Sequence, residues 1–340
     1  MTRQFCSANL FHTGIKQGIA LIINSFLDKQ NALCFTGASK FSMRYGWLHK
    51  AVQYVHRHSN IGEKAQKELF DSTDLDTVAE LGVGTLMVSA MRHWALGANV
   101  IQRSATTNKT LKLTEFGNRV LLEGNGLDPY MEKPETLWLI HWFMVNNLSM
   151  TTAYFLFNYF NETEFDKKTL LHSLSGSLMD SGRNDINIKD TTLDYDISAT
   201  MGCYLYPEKK KHSLDLENSL VAQLATLNLI TKVRYDTYRI RDYTVNKAIT
   251  MPLFTYCLIE YWNRYYKESK TLPGELITMS PHSPGRVFRM HESQISSYLK
   301  DIGSQNKQLV WSESGIPQLM LIGSIDDLAQ SNTLESIYGN

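Results

Sequence analysis

The stretch DTVAELGVGTLMVSAMRHWA (Asp76 to Ala95) decides the fold of this chain. Asp76 or Thr77 suits the cap of a helix running through Val78 and Leu81, Gly82 supplies a tight turn, and a second helix runs from about Thr85 to Ala95. Val78, Leu81, Val83, Val88 and Met91 fall where two helices crossing steeply need apolar contacts, with the glycine between them. The spacing predicts a helix-turn-helix.

The flanking sequence extends the pattern on both sides. Asn99 to Arg103 (NVIQR) is strand-like, Ser104 to Thr110 is a polar loop containing Lys109, Leu111 to Leu113 alternates as a second strand, and Thr114 opens another helix. A helix-turn-helix followed by a two-stranded hairpin predicts a winged helix over residues 37–125. Upstream, RYGWLHKAVQYVHRH (Arg44 to His58) carries Tyr45, Leu48, Val52 and Val55 at helical spacing, the stripe of an amphipathic helix that packs inward.

The 340 residues suit about two domains by length alone, and 43% hydrophobic with 11% aromatic residues is globular composition. Basic and acidic residues balance at 34 each, which excludes a polybasic tail, so any nucleic-acid surface is local. It sits where the motif is. Residues 40–120 hold 11 Lys and Arg against 7 Asp and Glu, and within 81–120 the ratio is five to one. Cys6, Cys34, Cys203 and Cys257 are scattered, with no CxxC pair and no zinc-ligand spacing, which points to a reducing compartment and a cytoplasmic protein. The apolar run Gly18 to Phe26 is far shorter than the roughly 20 residues of a membrane span and lacks a cleavage site, so neither anchor nor signal peptide is expected.

Residues 1–36 read as an N-terminal arm or an upstream extension, with a short helical pattern ending in a polar turn at Asp28 to Asn31. Residues 126–270 read as a central helical domain. Its start, DPYMEKPETLWLIHWFM (Asp128 to Met144), is a turn followed by a Pro-started, almost wholly apolar helix. Tyr154 to Phe160 continues the core, with helices at Asp194 to Tyr204, Leu216 to Leu227 and Ile249 to Tyr266, and a lysine run at Lys209 to Lys211. These apolar helices suit a core or a homodimer interface. Residues 271–340 read as a small α+β region: Ser283 to Phe288 a turn into a strand, His291 to Leu299 a helix, Gln308 to Trp311 and Gln318 to Ile322 short strands. A second winged helix and a plain α+β cap are both open there. The fold class is mainly α with small β wings.

For double-stranded DNA the candidate contacts are Thr85, Ser89 and Arg92 on the second helix, with His93 adjacent. Arg92 leads, because its planar fork matches guanine O6 and N7. Arg103, Lys109 and Lys112 on the wing, Arg44 and Lys50 upstream, and Arg286 after the turn Pro284-Gly285 suit phosphates. Winged helices also serve as protein-binding modules, the bland alternative.

For chemistry the sequence holds no HNH-like cluster, no paired-His nicking motif and no properly ordered PD-DxK; the fragment at Asp166 follows Asp128-Pro129 in the wrong order. Asp128, Glu132 and Glu135, with His141 two turns on, are the best catalytic group, Asp128 and Glu132 suiting Mg²⁺ or Mn²⁺. The structural alternative is a turn, a helix-dipole Glu and a core His. Asp194 with Asp196, and Tyr45 with His49, are weaker pairs, the former competing with capping and the latter with core packing.

Seven blocks in one order then carry a resemblance: FSMRYGWLHKA (Phe41 to Ala51), ELGVGTLMVSAMRHW (Glu80 to Trp94), LTEFG (Leu113 to Gly117), DPYMEKPETLWLIHW (Asp128 to Trp142), LFNYF (Leu156 to Phe160), SPGRVF (Ser283 to Phe288) and WSESGIPQL (Trp311 to Leu319). From about residue 37 to 338 the chain resembles a domain-of-unknown-function family of bacterial DNA phosphorothioation gene clusters, the family of SspB-type DNA nickases. Residues 1–36 fall outside it, and Met1 or Met43 suits the natural start. The resemblance implies an enzyme of antiphage defence that nicks one DNA strand so that sulfur replaces a nonbridging phosphate oxygen. It implies a cysteine desulfurase, a PAPS-reductase-like ATP pyrophosphatase and an ATPase as partners. The rival readings are a non-catalytic sequence-specific DNA-binding adaptor that recruits those enzymes, and a protein-binding scaffold.

Overall fold

The computed structural model describes residues 28, 31–59, 68–104, 110–183, 188–207, 222–241 and 246–339. The protein is mainly helical with small antiparallel sheets. It forms two compact units, one of residues 32–242 with 338–340, the other of residues 1–31 with 243–337. Among the described residues no helix is long and apolar enough to cross a membrane.

The larger unit is built on α1 (Trp47–Ser59), whose Leu48, Val52 and Val55 are wholly buried against a later helix and strand. Each such side chain contributes about 2 kcal/mol. Tyr45 does not join this stripe as expected. The chain turns at Gly46 with φ +75°, so the helix starts at Trp47 and Tyr45 is left half exposed. α2 (Leu75–Leu81) is capped by Asp74, two residues before the expected Asp76, with its carboxylate accepting from Thr77 N and Thr77 Oγ1. Gly82 takes the left-handed conformation (φ 63°) that a β-carbon disfavours, its N–H donating to Val78 O. α3 (Thr85–Gly97) then buries Val88, Met91 and Trp94, and Trp94 Nε1 donates to Phe41 O at 2.9 Å.

β1 (Ile101–Arg103) and β2 (Leu111–Leu113) pair antiparallel, Ile101 opposite Leu113 and Arg103 opposite Leu111. α4 (Glu115–Val120) follows, capped by Thr114, and its Gly117 lies against the β1 approach so closely that a β-carbon would stand 2.0 Å from Val100 O. α5 (Pro134–Val145) and α6 (Thr151–Asn158) form the aromatic core, with β3 (Glu164–Phe165), α7 (Lys167–Asp180) and α8 (Asp190–Gly202) beyond. Leu216 to Val221 of an expected helix lie outside the described residues, as do Lys209 to Lys211 and the arm's helical pattern; Gln223–Leu227 is a 3-10 turn. β4 (Ile230–Arg234) and β5 (Thr237–Ile240) complete a sheet of order β3-β5-β4.

In the smaller unit α9 (Met251–Tyr265) packs its buried Trp262 so that Nε1 donates to Ser269 O. β6 (Thr271–Pro273), α10 (Gly274–Met279), α11 (Pro284–Val287), α12 (Glu292–Gln305), β7 (Leu309–Ser312), β8 (Gln318–Leu321) and α13 (Ile325–Ser331) follow, with the strands in order β6-β8-β7. The expected strand at Ser283 to Phe288 is helical instead. Ser283 Oγ accepts from Arg286 N, and Pro284 enters with its φ already helical. Gln294 is buried and closes a double hydrogen bond with the backbone of Asn246.

One buried acid sets a pH response. Asp196 on α8 accepts from Thr152 Oγ1 at 2.6 Å, and burial pushes its carboxyl up to about 6. A raised carboxylate binds its proton more tightly in the folded state, so its stabilisation is present below about pH 4 and is lost as pH rises to about 6. Asp196→Asn is therefore expected to flatten that decline and to raise stability at pH 7, read from urea midpoints at pH 4, 5, 6 and 7. An unchanged pH slope would refute this.

Candidate functional site

At the junction of α1, α2 and α3 lies an open cleft of about 480 Å³. Its wall holds Arg44 just before α1, Lys50 in the first turn of α1, Val78 of α2, and Gly82, Val83, Gly84 and Met87 across the turn into α3. Arg44 stands 5.8 Å from the Trp47 ring and 5.9 Å from the Phe41 ring, so its planar group is held over aromatic surface. Lys50 Nζ donates to Leu81 O, the last carbonyl of α2, at 3.2 Å. That contact satisfies a terminal carbonyl and sets the ammonium beside Gly82.

The start of α3 is open. Gly84 is its cap residue and offers no side-chain acceptor, while Thr85 and Leu86 are exposed. The first amide groups of α3 thus add partial positive charge to the same cleft as two cations. Leu86, 64% exposed, is an apolar side chain at this open helix start that its sequence context does not mark. Ser89 is half-buried one turn on. Arg92 sits two turns into α3, half-buried, its guanidinium 3.6 Å from Glu68. That pair is exposed enough to contribute little, so it orients Arg92 without locking it. His93 carries no charge at neutral pH, because burial drives it down to about 4.

On the hairpin, Lys112 stands opposite Gln102 and both are exposed, as is Arg103. Lys109 lies outside the described residues. Arg286 belongs to the other unit, half-buried in α11.

The carboxylate group does not assemble. Asp128 is 5% exposed; its Oδ1 accepts from Glu132 N, and its Oδ2 from Lys133 N and Thr136 Oγ1. Both oxygens are committed to starting α5, and Thr136 Oγ1 also meets the Tyr338 hydroxyl at 2.8 Å. Burial, with Asp128 and Glu135 nearby, pushes that phenol well up. Glu132 is exposed and Glu135 lies in the first turn of α5, where a negative charge complements the helix dipole. His141 is wholly buried, Nδ1 2.9 Å from the Tyr204 hydroxyl and packed edge-on against Phe157.

The weaker pairs also separate. Asp194 is exposed and Asp196 buried, since residues two apart on a helix face opposite ways. His49 Nδ1 donates to Pro129 O and its ring stacks on Tyr130, not on Tyr45. Asp166 caps α7 through Thr169 N, which lowers its carboxyl.

The chain belongs to the family described as protein of unknown function (DUF4007), matched over residues 35–338. No curated protein matches it. It is similar to the crystal structure of magnesium ion-bound SspB, with TM-score 0.75 and 22% identity over 91% of this chain and 89% of that chain. It is similar to a second SspB crystal structure with TM-score 0.74 and 23% identity, over the same shares. These likenesses show the fold.

The expectation of a metal-dependent nickase is corrected here. Among the described residues no three His, Cys, Asp or Glu side chains gather as a metal site. Asp128, the centre of the expected Mg²⁺ or Mn²⁺ group, has its oxygens taken by donors of its own helix start, and His141 is enclosed by aromatic rings. Among the described residues this group does not fit the ion.

Proposed function

We propose that this chain is a non-catalytic DNA-binding adaptor of a phosphorothioate DNA-modification and antiphage defence system. The observation that carries this is the cleft at the start of α3, where Arg44, Lys50 and an uncapped helix N-terminus converge beside exposed Thr85 and Leu86. In this reading α2 and α3 are a helix-turn-helix and β1-β2 with α4 its wing, so residues 37–125 form a winged helix. Thr85, Leu86, Ser89 and Arg92 face the major groove. Arg44, Lys50, Arg103, Lys109 and Lys112 hold phosphates, which set register without reading sequence. The likeness to SspB and the seven sequence blocks support a role beside sulfur-transfer enzymes: a cysteine desulfurase, a PAPS-reductase-like ATP pyrophosphatase and an ATPase, recruited to the bound site.

Two measurements test it. A duplex-DNA shift weakens with salt, and Arg44→Ala with Lys50→Ala lowers affinity roughly 10-fold or more at 0.15 M salt. Supercoiled plasmid incubated with the protein stays supercoiled in Mg²⁺, Mn²⁺ or EDTA alike. Metal-dependent open circles would overturn the adaptor reading, and a salt-insensitive or absent shift would leave a protein-binding module.

A further inference from the structure

The hairpin β4–β5 carries none of the residues assigned so far. Residues 231–241 hold four cations, Lys232, Arg234, Arg239 and Arg241, against one acid, Asp236, in a chain whose charges balance. Ile230, Tyr238 and Ile240 turn inward and anchor the hairpin, and the Phe165 ring lies 6.1 Å from Tyr238. β3 pairs on the inner side of β5 and sets Glu164 opposite Arg239, whose guanidinium it holds. Arg239 is thus a strut across the sheet, while Lys232 and Arg234 stand exposed on the edge strand β4, as Arg241 does just after β5.

Tyr235 and Asp236 make the two-residue turn, and Tyr235 is 94% exposed, the most exposed of the large apolar side chains described. Lys232 Nζ stands 5.5 Å over its ring. A register shift between Lys232 and Arg234 twists the strand, and Lys232, Val233, Arg234 and Tyr235 are all exposed. Charge alone would be ordinary protection of a sheet edge. Protection gives no reason for an aromatic ring held out at the tip. A nucleic-acid duplex, with phosphates for the cations and grooves that admit a ring, accounts for both features.

We propose that β4–β5 is a second nucleic-acid contact, Lys232 and Arg234 on backbone phosphates and the Tyr235 ring in the adjoining groove. The proposal rests on the DNA-binding reading above, and the test separates the two. Anisotropy of a fluorescein-labelled mixed-sequence duplex is measured across a salt series for the full chain, with circular dichroism as the folding control. The double variant K232A/R234A flattens the slope of log affinity against log salt by about 1.8 and binds roughly 10- to 30-fold more weakly at 0.15 M salt. Tyr235→Ala weakens binding about 5-fold at every salt concentration without changing the slope, and Tyr235→Phe restores it. Binding unchanged in the hairpin variants but lost in R44A/K50A overturns this proposal and leaves the first reading standing. The reverse pattern keeps the hairpin and overturns the cleft, and a wild-type chain that does not bind overturns both.

Discussion

Asp128→Ala is expected to lower stability by about 3 kcal/mol while leaving the DNA affinity of the folded protein unchanged. The carboxylate is buried and accepts from two backbone amides and one hydroxyl. Its removal strands Glu132 N and Lys133 N at the start of α5 and leaves Thr136 Oγ1 with only Tyr338. Each stranded, part-buried donor costs about 1 kcal/mol, and α5 carries the buried Trp138, Ile140 and Trp142. A lower urea midpoint at constant slope is the expected signature. Asp128→Asn keeps one acceptor and falls between. Full stability of Asp128→Ala together with lost DNA function would return Asp128 to a functional role.

Gly84→Asp is expected to move stability and binding in opposite directions. Gly84 caps α3 with φ −65° and ψ 158°, an ordinary extended conformation, and a β-carbon there meets nothing within 4 Å. An aspartate can therefore cap the helix, gaining roughly 0.5 kcal/mol over glycine. The same carboxylate enters the cleft shared with Arg44 and Lys50, on the side where the phosphate is proposed to bind. Like charges about 5 Å apart in a partly screened site cost about 1.5 kcal/mol, roughly 10-fold in affinity. Gly84→Asn supplies the cap without the charge and should stabilise while binding nearly as wild type. If Gly84→Asp binds duplex DNA as tightly as wild type, the α3 start is not where the phosphate sits.

The helix pair, the Gly82 turn and the two short strands were legible because their signals are local. Periodicity, a left-handed glycine and alternating strand residues act within a few positions. The seven blocks pointed to a family of unknown function over residues 37–338, and the chain belongs to DUF4007 over 35–338, while the nickase activity drawn from that resemblance is not supported. The carboxylate site was misread because Asp-Pro followed by two glutamates reads identically as a ligand set and as the cap of a buried helix. The oxygens of Asp128 distinguish the two, and their partners include Thr136, eight residues away. Tyr45 with His49 fails likewise: the turn at Gly46 delays the helix start to Trp47, two residues past Tyr45, and His49 finds Pro129 and Tyr130, some eighty residues on.

The sequence alone determined that this chain is a mainly helical protein with a basic region around a glycine-turned helix pair and a Pro-started aromatic core. Those properties follow from side-chain volume, spacing and turn chemistry, which act along the chain. Only the tertiary structure decided which charges lie together and which are taken up by local partners. It gathered Arg44 and Lys50 at the open start of α3, drew Arg92 toward Glu68, and spent Asp128 on a cap. It also raised Tyr235 on a cationic hairpin that no spacing had marked. A charge is committed or available according to its neighbours in space, and those neighbours are brought by elements far away in sequence.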